Sequence, residues 1–401
     1  MTTMRVADLH VLTDELLERF RARAPVYDAE SRLCSEDFEE LVEAGYLVLA
    51  VPTELGGLGG TLAQVCAAQR RLARYAPATA LTTNTHLYWT GVAADLHRVG
   101  DRSLRWLLEE AVAGDVFASG HAEPGNDMAL LSPTTRAERV EGGWRFTGHK
   151  IVASQSPVWT RLGIHGLDTA DPDKATVVHA FLPRDAPGYR IVPTCDTLGM
   201  SLTRRDDAML DSAVVPDRYV GRVVPIGIAE VDAFVLAISA WAQATVAAIH
   251  LGIAERAFEL AVVGAKRSSS RAVRGRQSAH MPLIQHAMAE MAFELESMSA
   301  HIERVADDWS AGLDHGDSWS AKLAAVQHRA TDGAQRIVDL ALQVHGGAAL
   351  FADHELERLW RDVRCSSGSP TGSPLPDIPR FAAEVQQMTA DRAGNERGDQ
   401  T

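Results

Sequence analysis

Apolar residues recur at helical spacing in the first part of the chain. Leu12, Leu16, Leu17 and Phe20 fall on one face of a helix, and a second stripe follows before the segment GYLVLAVPTELGGLGG. That segment lacks the Gly-Lys-Ser/Thr ending of a phosphate-binding loop, so we interpret it as a tight turn between helices. We therefore predict a helical domain over residues 1–115.

The pattern changes to short β-rich runs over residues 116–225. The runs PTTRAERV, WRFTGHKIVAS, ATVVHAFLPR and YRIVPT are separated by Gly, Pro and Asp, which is typical of strands joined by turns. They lack the alternating helices that a parallel sheet requires, so a Rossmann-type nucleotide domain is not expected. We predict an antiparallel β domain here.

Helical spacing returns after Val231. Apolar residues from Ile284 to Val305 keep a 4-3 spacing, with Pro282 at the predicted first turn. A second stripe carries Gly333, where a neighbouring helix can approach closely. We predict a helical bundle over residues 226–385 and a flexible tail over residues 386–401. The predicted class is thus α+β: an N-terminal helical domain, a middle antiparallel β domain and a C-terminal four-helix bundle.

Composition and charge narrow the possible partners. The chain has 401 residues and a formal net charge of −14 at pH 7. Since it contains no run of Lys or Arg, we expect no nucleic-acid or anionic-membrane partner. The four cysteines have no metal-type spacing, so we predict reduced thiols and no metal. We also expect no signal peptide and no apolar stretch long enough to span a membrane, and hence a cytoplasmic protein.

The segment QVHGGAALFADHELERLWRDVRCSSGSP resembles the C-terminal signature of the acyl-CoA dehydrogenase superfamily. Gln343, Gly346 and Gly347 match its Gln-x-x-Gly-Gly, and Arg361 and Asp362 match its Arg-Asp pair. The order of domains along the chain is also that of this family. The resemblance implies an FAD-dependent oxidoreductase that assembles as a homodimer or homotetramer, with part of the FAD bound across the dimer interface.

Three further segments resemble flavin-binding motifs of the same family. FASGHAEPGND resembles its Thr-Glu-Pro-x-x-Gly-Ser-Asp loop, with Ala122 in place of Thr, and GHKIVASQS resembles its Gly-x-Lys-x-Trp-Ile-Thr/Ser-Asn segment, with Val152 in place of the aromatic residue. Arg274 and Gln285 match the Arg and Gln of a motif that pairs with a neighbour's pyrophosphate. The cofactor-binding residues implied by the resemblance are Glu123, Gly125, Asn126, Ser154, Arg274, Gln285, Gln343, Gly346 and Gly347.

The catalytic carboxylate of the family has no counterpart here. The usual glutamate base falls on Pro370, and the family's second base position falls on Ala242, and neither side chain accepts a proton. A hydroxylating branch of the superfamily has Arg-Asp-x-Arg followed by His-Pro, and here the His position is Ser369. That branch also places a His in the first helical domain, a role that His86 can fill. The candidate catalytic residues are therefore His86 and Ser369.

Three functions stay open on the sequence. The first is an FAD-dependent oxidoreductase acting on an acyl thioester bound to CoA or a carrier protein, with an unidentified base and an electron-transfer flavoprotein as partner. The alternative is a reduced-flavin monooxygenase, which would need a flavin reductase. The third is a non-catalytic flavin-binding scaffold, because a fold does not fix chemistry.

Overall fold

Helices lie at both ends of the described chain and strands lie in the middle. The computed structural model describes residues 11–126, 129–153, 155–194, 197–200, 203, 206–226, 232–267, 269–270 and 276–365. The change from helix to strand falls between Val112 and Phe117, and the change back falls between Pro225 and Ala233. The predicted α+β class and its order of domains are confirmed, while the domain boundaries stay predictions.

The N-terminal domain packs its helices along the predicted apolar stripes. Its helices are α1 (Asp14–Glu30), α2 (Ser35–Glu43), α3 (Leu62–Ala73), α4 (Pro77–Arg98) and α5 (Arg105–Val112). Leu16, Leu17 and Phe20 are buried, as the spacing predicts. The glycine-rich segment is a compact turn, in which a Cβ at Gly57 would collide with the carbonyl of Val51.

The middle domain is one mixed sheet. Its strands are β1 (Phe117–Ser119), β2 (Arg136–Val140), β3 (Gly143–Ala153), β4 (Arg161–Asp168), β5 (Thr176–Pro183), β6 (Tyr189–Val192), β7 (Asp206–Pro216) and β8 (Val220–Pro225). The order is β6-β7-β3-β2-β4-β5-β8, with β1 beside β4. The prediction of an antiparallel domain needs correction, because β1 and β2 both pair with β4 in parallel.

The C-terminal domain is a bundle of long helices. Its elements are α6 (Ala233–Arg267), the short strands β9 (Ser269–Ser270) and β10 (Arg276–Gln277), α7 (Pro282–Ser310), α8 (Ser318–His345) and α9 (Glu355–Cys365). Helix α7 begins at Pro282, as predicted. Gly333 on α8 does allow a close approach, because a Cβ there would lie 2.5 Å from Met298 Sδ.

Helix α6 corrects one expectation and forms the centre of the molecule. It is long and apolar enough to cross a membrane, so the prediction that no such stretch exists was wrong. Most of the apolar part of this helix is, however, buried inside the protein. Asp95 on α4 accepts hydrogen bonds from Trp241 Nε1 at 2.6 Å and Trp309 Nε1 at 2.8 Å. A single carboxylate thus joins α4, α6 and α7.

Candidate active site

The loop after β1, residues 120–126, is held in place by the buried carboxylate of Glu123, and we call it the anchored loop. The carboxylate accepts hydrogen bonds from Lys150 Nζ at 2.6 Å, Thr134 N at 2.6 Å, Thr134 Oγ1 at 2.8 Å, and Thr135 N and Asn126 Nδ2 at 2.9 Å. Burial opposes ionisation, but Lys150 and the other donors outweigh it and lower the pKa of Glu123 to about 2. Glu123 is therefore an ionised anchor that shapes the loop.

The other predicted residues of this loop complete the same turn. Gly125 has φ +66, a left-handed conformation that favours glycine. Asn126 pairs with Glu123 across the turn and donates a second bond to Ser132 O at 3.0 Å. The structure thus brings Glu123, Gly125 and Asn126 together, with the Glu123 side chain pointing into the β domain.

The end of β3 lies beside this loop. Ile151 N donates to Ala122 O at 2.9 Å, which joins the two segments predicted to face the flavin. Val152 and Gln155 both have left-handed backbones, with φ 58 and φ 62. This conformation is most unfavourable for a β-branched residue such as Val152. Such backbone outliers cluster at functional sites, where the surrounding structure holds them. Ser154 lies outside the described residues.

Gln155 ties this strained backbone to both the middle domain and the N-terminal domain. Gln155 N donates to Thr203 O at 2.9 Å, and Gln155 Nε2 donates to Thr82 O on α4. Ile151 and Val152, between the anchored loop and this contact, are half-buried. An anchored turn beside a strained, partly open strand end fits the backbone contacts that a flavin ring would require.

Helices α4 and α6 carry few acidic residues. Helix α6 has no Asp or Glu from Ala233 to Ala254, and Ala242 is buried at 8% exposure. Further along α6, Glu255 pairs with Arg70 and Glu259 pairs with Arg256. The only acidic residue of α4 is Asp95, which already accepts from two tryptophans and pairs with Arg98. Neither helix therefore offers an available carboxylate to act as a base.

His86 is fully buried and uses both ring nitrogens on backbone groups. Its Nε2 lies 3.0 Å from Leu47 O, and its Nδ1 accepts from Phe117 N at 3.1 Å. Burial lowers the pKa of His86 to about 4. This arrangement favours a role in joining α4 to β1 over proton transfer. The other predicted catalytic position, Ser369, and the empty base position, Pro370, lie outside the described residues.

The predicted dinucleotide residues of the bundle lie at one end of the α7–α8 pair. These helices run in opposite directions, as the ion pairs Arg336–Glu290 and Arg329–Glu294 require. Gln285 near the start of α7 and Gln343 near the end of α8 therefore come to the same end. Both glutamines are exposed. Arg274 lies outside the described residues.

Gly346 and Gly347 follow directly at that end. Both are exposed, and a Cβ on either would meet no atom within 4 Å. Gly346 also has φ +70, which favours glycine. The backbone there is accessible to a ligand.

The matched Arg-Asp pair holds α9 to the other two domains. Arg361 pairs with Asp28 of α1 at 2.6 Å and with Glu357 at 2.7 Å. Asp362 is buried and accepts from Met200 N at 2.8 Å, and burial raises its pKa to about 6. The pair therefore positions the C-terminal segment against the β domain.

Comparison with known families agrees with this architecture. The acyl-CoA dehydrogenase N-terminal domain matches residues 12–105, and the acyl-CoA dehydrogenase C-terminal domain matches residues 236–368. The chain belongs to the acyl-CoA dehydrogenase superfamily, whose members are flavin-dependent enzymes.

The relatives differ in the reactions that their names state. A putative acyl-CoA dehydrogenase YdbM of Bacillus subtilis is 28% identical over 92% of this chain and 94% of its own length. L-evernosamine nitrososynthase of a Micromonospora species is 27% identical over 87% and 83%. A solved structure of KijD3 with FMN and dTDP-3-amino-2,3,6-trideoxy-4-keto-3-methyl-D-glucose has a TM-score of 0.83 at 24% identity, covering 96% and 95% of the two chains.

Proposed function

We propose that this protein is a reduced-flavin monooxygenase acting on a small molecule. The observation that carries the proposal is the lack of an available carboxylate on α4 and α6, with Ala242 at the second base position. Removing the α-proton of a thioester needs a positioned base. Oxygenation by a reduced flavin needs no such base, because dioxygen would supply the oxygen atom, the reduced flavin would supply the two electrons, and the second oxygen atom would leave as water.

The chain's own residues would hold and shield the flavin. The Glu123–Lys150 pair fixes the loop, and the backbone at Ile151 and Val152 would meet the ring. The apolar faces of α4 and α6 would exclude water from the reacting atoms. A nitrososynthase among the relatives supports a substrate that carries a nucleophilic group, such as an amine.

We propose FAD as the preferred flavin and a homodimer or homotetramer as the assembly. Leu283, Leu350 and Phe351 are 74%, 70% and 67% exposed at the end of α7–α8 where Gln343 lies. Such an apolar patch is typical of a surface that another chain covers. A second copy there would complete a site for the adenine half of FAD beside Gln343 and Gly347.

A second candidate function is the dehydrogenation of an acyl thioester. The putative acyl-CoA dehydrogenase among the relatives favours it. This reaction would need a base outside α4 and α6 and an electron-transfer flavoprotein as acceptor, whereas the monooxygenase would need a flavin reductase. A cytoplasmic location suits both and agrees with the free thiols of Cys34 and Cys66.

The oxygen reactivity of the reduced flavin tests the proposal. Protein loaded with FAD or FMN is photoreduced without oxygen and mixed with aerated buffer while the flavin absorbance is recorded. We expect reoxidation in two phases, with a transient species between the reduced and oxidised spectra. Reoxidation in a single phase, at the rate of free flavin, would contradict a monooxygenase. A chain that binds neither flavin would contradict both enzyme functions. The protein would then have the fold of the family without its cofactor.

A further inference from the structure

Three histidines meet inside the protein behind the anchored loop. His121 follows β1, while His165 and His179 are directly opposite each other on β4 and β5. They are 2%, 0% and 1% exposed. The ring of His121 lies 4.8 Å from that of His165 and 6.3 Å from that of His179, and the last two rings are 5.5 Å apart. We call these three residues the histidine cluster.

The cluster lies where the sheet meets the helices α4 and α6. The ring of Trp89 on α4 is 5.3 Å from that of His121, and the ring of Phe234 on α6 is 5.2 Å from that of His179. Lys150 and Glu123 are close enough to influence the charge of His121. The cluster therefore contacts the anchored loop and both helices.

Most polar atoms of the cluster lack a protein partner. His165 Nε2 bonds to Ala129 O, but the other five ring nitrogens of the three histidines have no hydrogen-bond partner in the described part of the chain. A neutral imidazole has one donor and one acceptor, and each is seldom left unpaired in a protein interior. The cluster thus presents several buried, unpaired polar atoms within a small volume.

Lys150 brings donors close to the cluster, because Ile151 N bonds to Ala122 O, next to His121. Its ammonium has three N–H groups, and Glu123 Oε1 is the acceptor found for it within the described ranges. Burial lowers the pKa of Lys150 to about 8. Burial and the nearby Lys150 charge lower the pKa of His179 to about 3, and burial lowers those of His121 and His165 well below the usual value. The three histidines are therefore neutral, and Lys150 makes no direct hydrogen bond to them in the described part of the chain.

Two kinds of ligand fit unpaired donors and acceptors in a closed interior: a metal ion or water. The described residues contain no group of His, Cys, Asp or Glu with a geometry that could hold a metal. The parallel rings of His165 and His179, at an interplanar angle of 16°, also do not point at a common centre. Water, which bonds to two to four polar partners at buried sites, satisfies both donors and acceptors.

We propose that the histidine cluster and Lys150 enclose a site for internal water molecules, and that the bridged network positions the anchored loop. In this arrangement water accepts from Lys150 Nζ and donates to or accepts from the ring nitrogens. The network ties β4 and β5 to the segment around His121, next to Glu123. His121, His165 and His179 are positioning residues, and the proposal holds for either of the two reactions considered above.

The direct test uses the full-length protein labelled with 15N-histidine. Imidazole signals of the cluster are assigned by comparison with the single variants His121→Gln, His165→Gln and His179→Gln, and their N–H protons are examined for cross-relaxation with water. We expect neutral imidazoles and cross-peaks from N–H to bound water. Imidazole N–H protons without any water contact would overturn the proposal. So would a stoichiometric metal found by elemental analysis of the purified protein.

Stability and flavin binding provide a second readout. Because His179→Phe keeps a ring of similar size, a dry cluster predicts an equal or higher thermal midpoint, since unpaired buried nitrogens are removed. The hydrated network predicts a lower midpoint in the flavin-free protein and severalfold weaker flavin binding, with partial rescue by His179→Gln. The matched control is His328→Phe, on a side chain that is 45% exposed, and it should change neither. If His179→Phe does not fold, the labelled wild-type protein and His179→Gln still decide the question.

Discussion

The Glu123→Gln substitution tests the anchored loop most sharply, because it keeps the shape of the side chain and removes its charge. The amide has one acceptor oxygen, and its NH₂ group would face donors that now bond to the carboxylate. It also leaves the Lys150 ammonium, which has no solvent exposure, without its counter-ion. Breaking a buried ion pair by removing one partner costs about 3–5 kcal/mol.

That loss is a large share of the stability of a typical domain, which is about 5–15 kcal/mol. We expect urea unfolding followed by circular dichroism to show the loss, and fluorescence titration to show weaker flavin binding. Asp217→Asn is the matched control, since Asp217 pairs with Arg139 on the surface and its loss should have no measurable effect. The double substitution Glu123→Gln with Lys150→Met should recover part of the stability, because it leaves no unpaired charge.

A loss for Glu123→Gln below about 1 kcal/mol, the value of an exposed pair, would refute this reasoning. It would mean that water reaches Lys150 or that the loop is not held by the carboxylate. Equal losses for the single and double variants would also contradict it, because the unpaired ammonium would then not be the cause.

Further predictions concern pH, packing and cofactor choice. Because the pKa of His86 falls from 6.5 to about 4 on folding, the unfolded chain binds the proton first, so the contribution of this residue to stability should fall by about 3 kcal/mol as pH drops from 6.5 toward 4. Since the raised pKa of Asp362 acts in the opposite direction, the measured quantity is the difference in stability between wild type and His86→Gln, and a difference that stays constant from pH 7 to 5 would contradict the prediction. Gly333→Leu should cost about 1–3 kcal/mol in urea unfolding, since the new side chain meets Met298, and an unchanged midpoint would show that the helices separate freely. Gln343→Ala should weaken FAD binding severalfold and leave FMN binding unchanged, whereas equal effects on both flavins would place the adenine half elsewhere.

The sequence predicted the order of domains because helical apolar stripes are local patterns. Leu16, Leu17 and Phe20 are buried as their spacing requires. Strand β4 escaped prediction because its sequence, RLGIHGLD, contains Gly163 and Gly166 and lacks regular alternation. Glycine suits both positions, since a Cβ at Gly163 would lie 2.6 Å from the Trp89 ring.

The sequence could indicate the site residues that lie in family motifs, but not the contacts between residues that are far apart in the chain. Motifs indicated the segments around Glu123 and Val152, but not that the carboxylate points inward to Lys150. His86 was chosen for its residue type, while its two backbone bonds depend on tertiary packing. The histidine cluster could not be found from sequence, because only the register of β4 with β5 brings His165 beside His179.

The response of the bound flavin to acyl thioesters tests the central claim most directly. Flavin-loaded protein would be mixed without oxygen with CoA thioesters of short, medium and long chains while the oxidised flavin absorbance is followed. The lack of an available carboxylate on α4 and α6 predicts that the flavin stays oxidised with every thioester. Bleaching of the flavin within the time of a catalytic turnover would show that a base abstracts the α-proton, and would contradict the assignment as a monooxygenase.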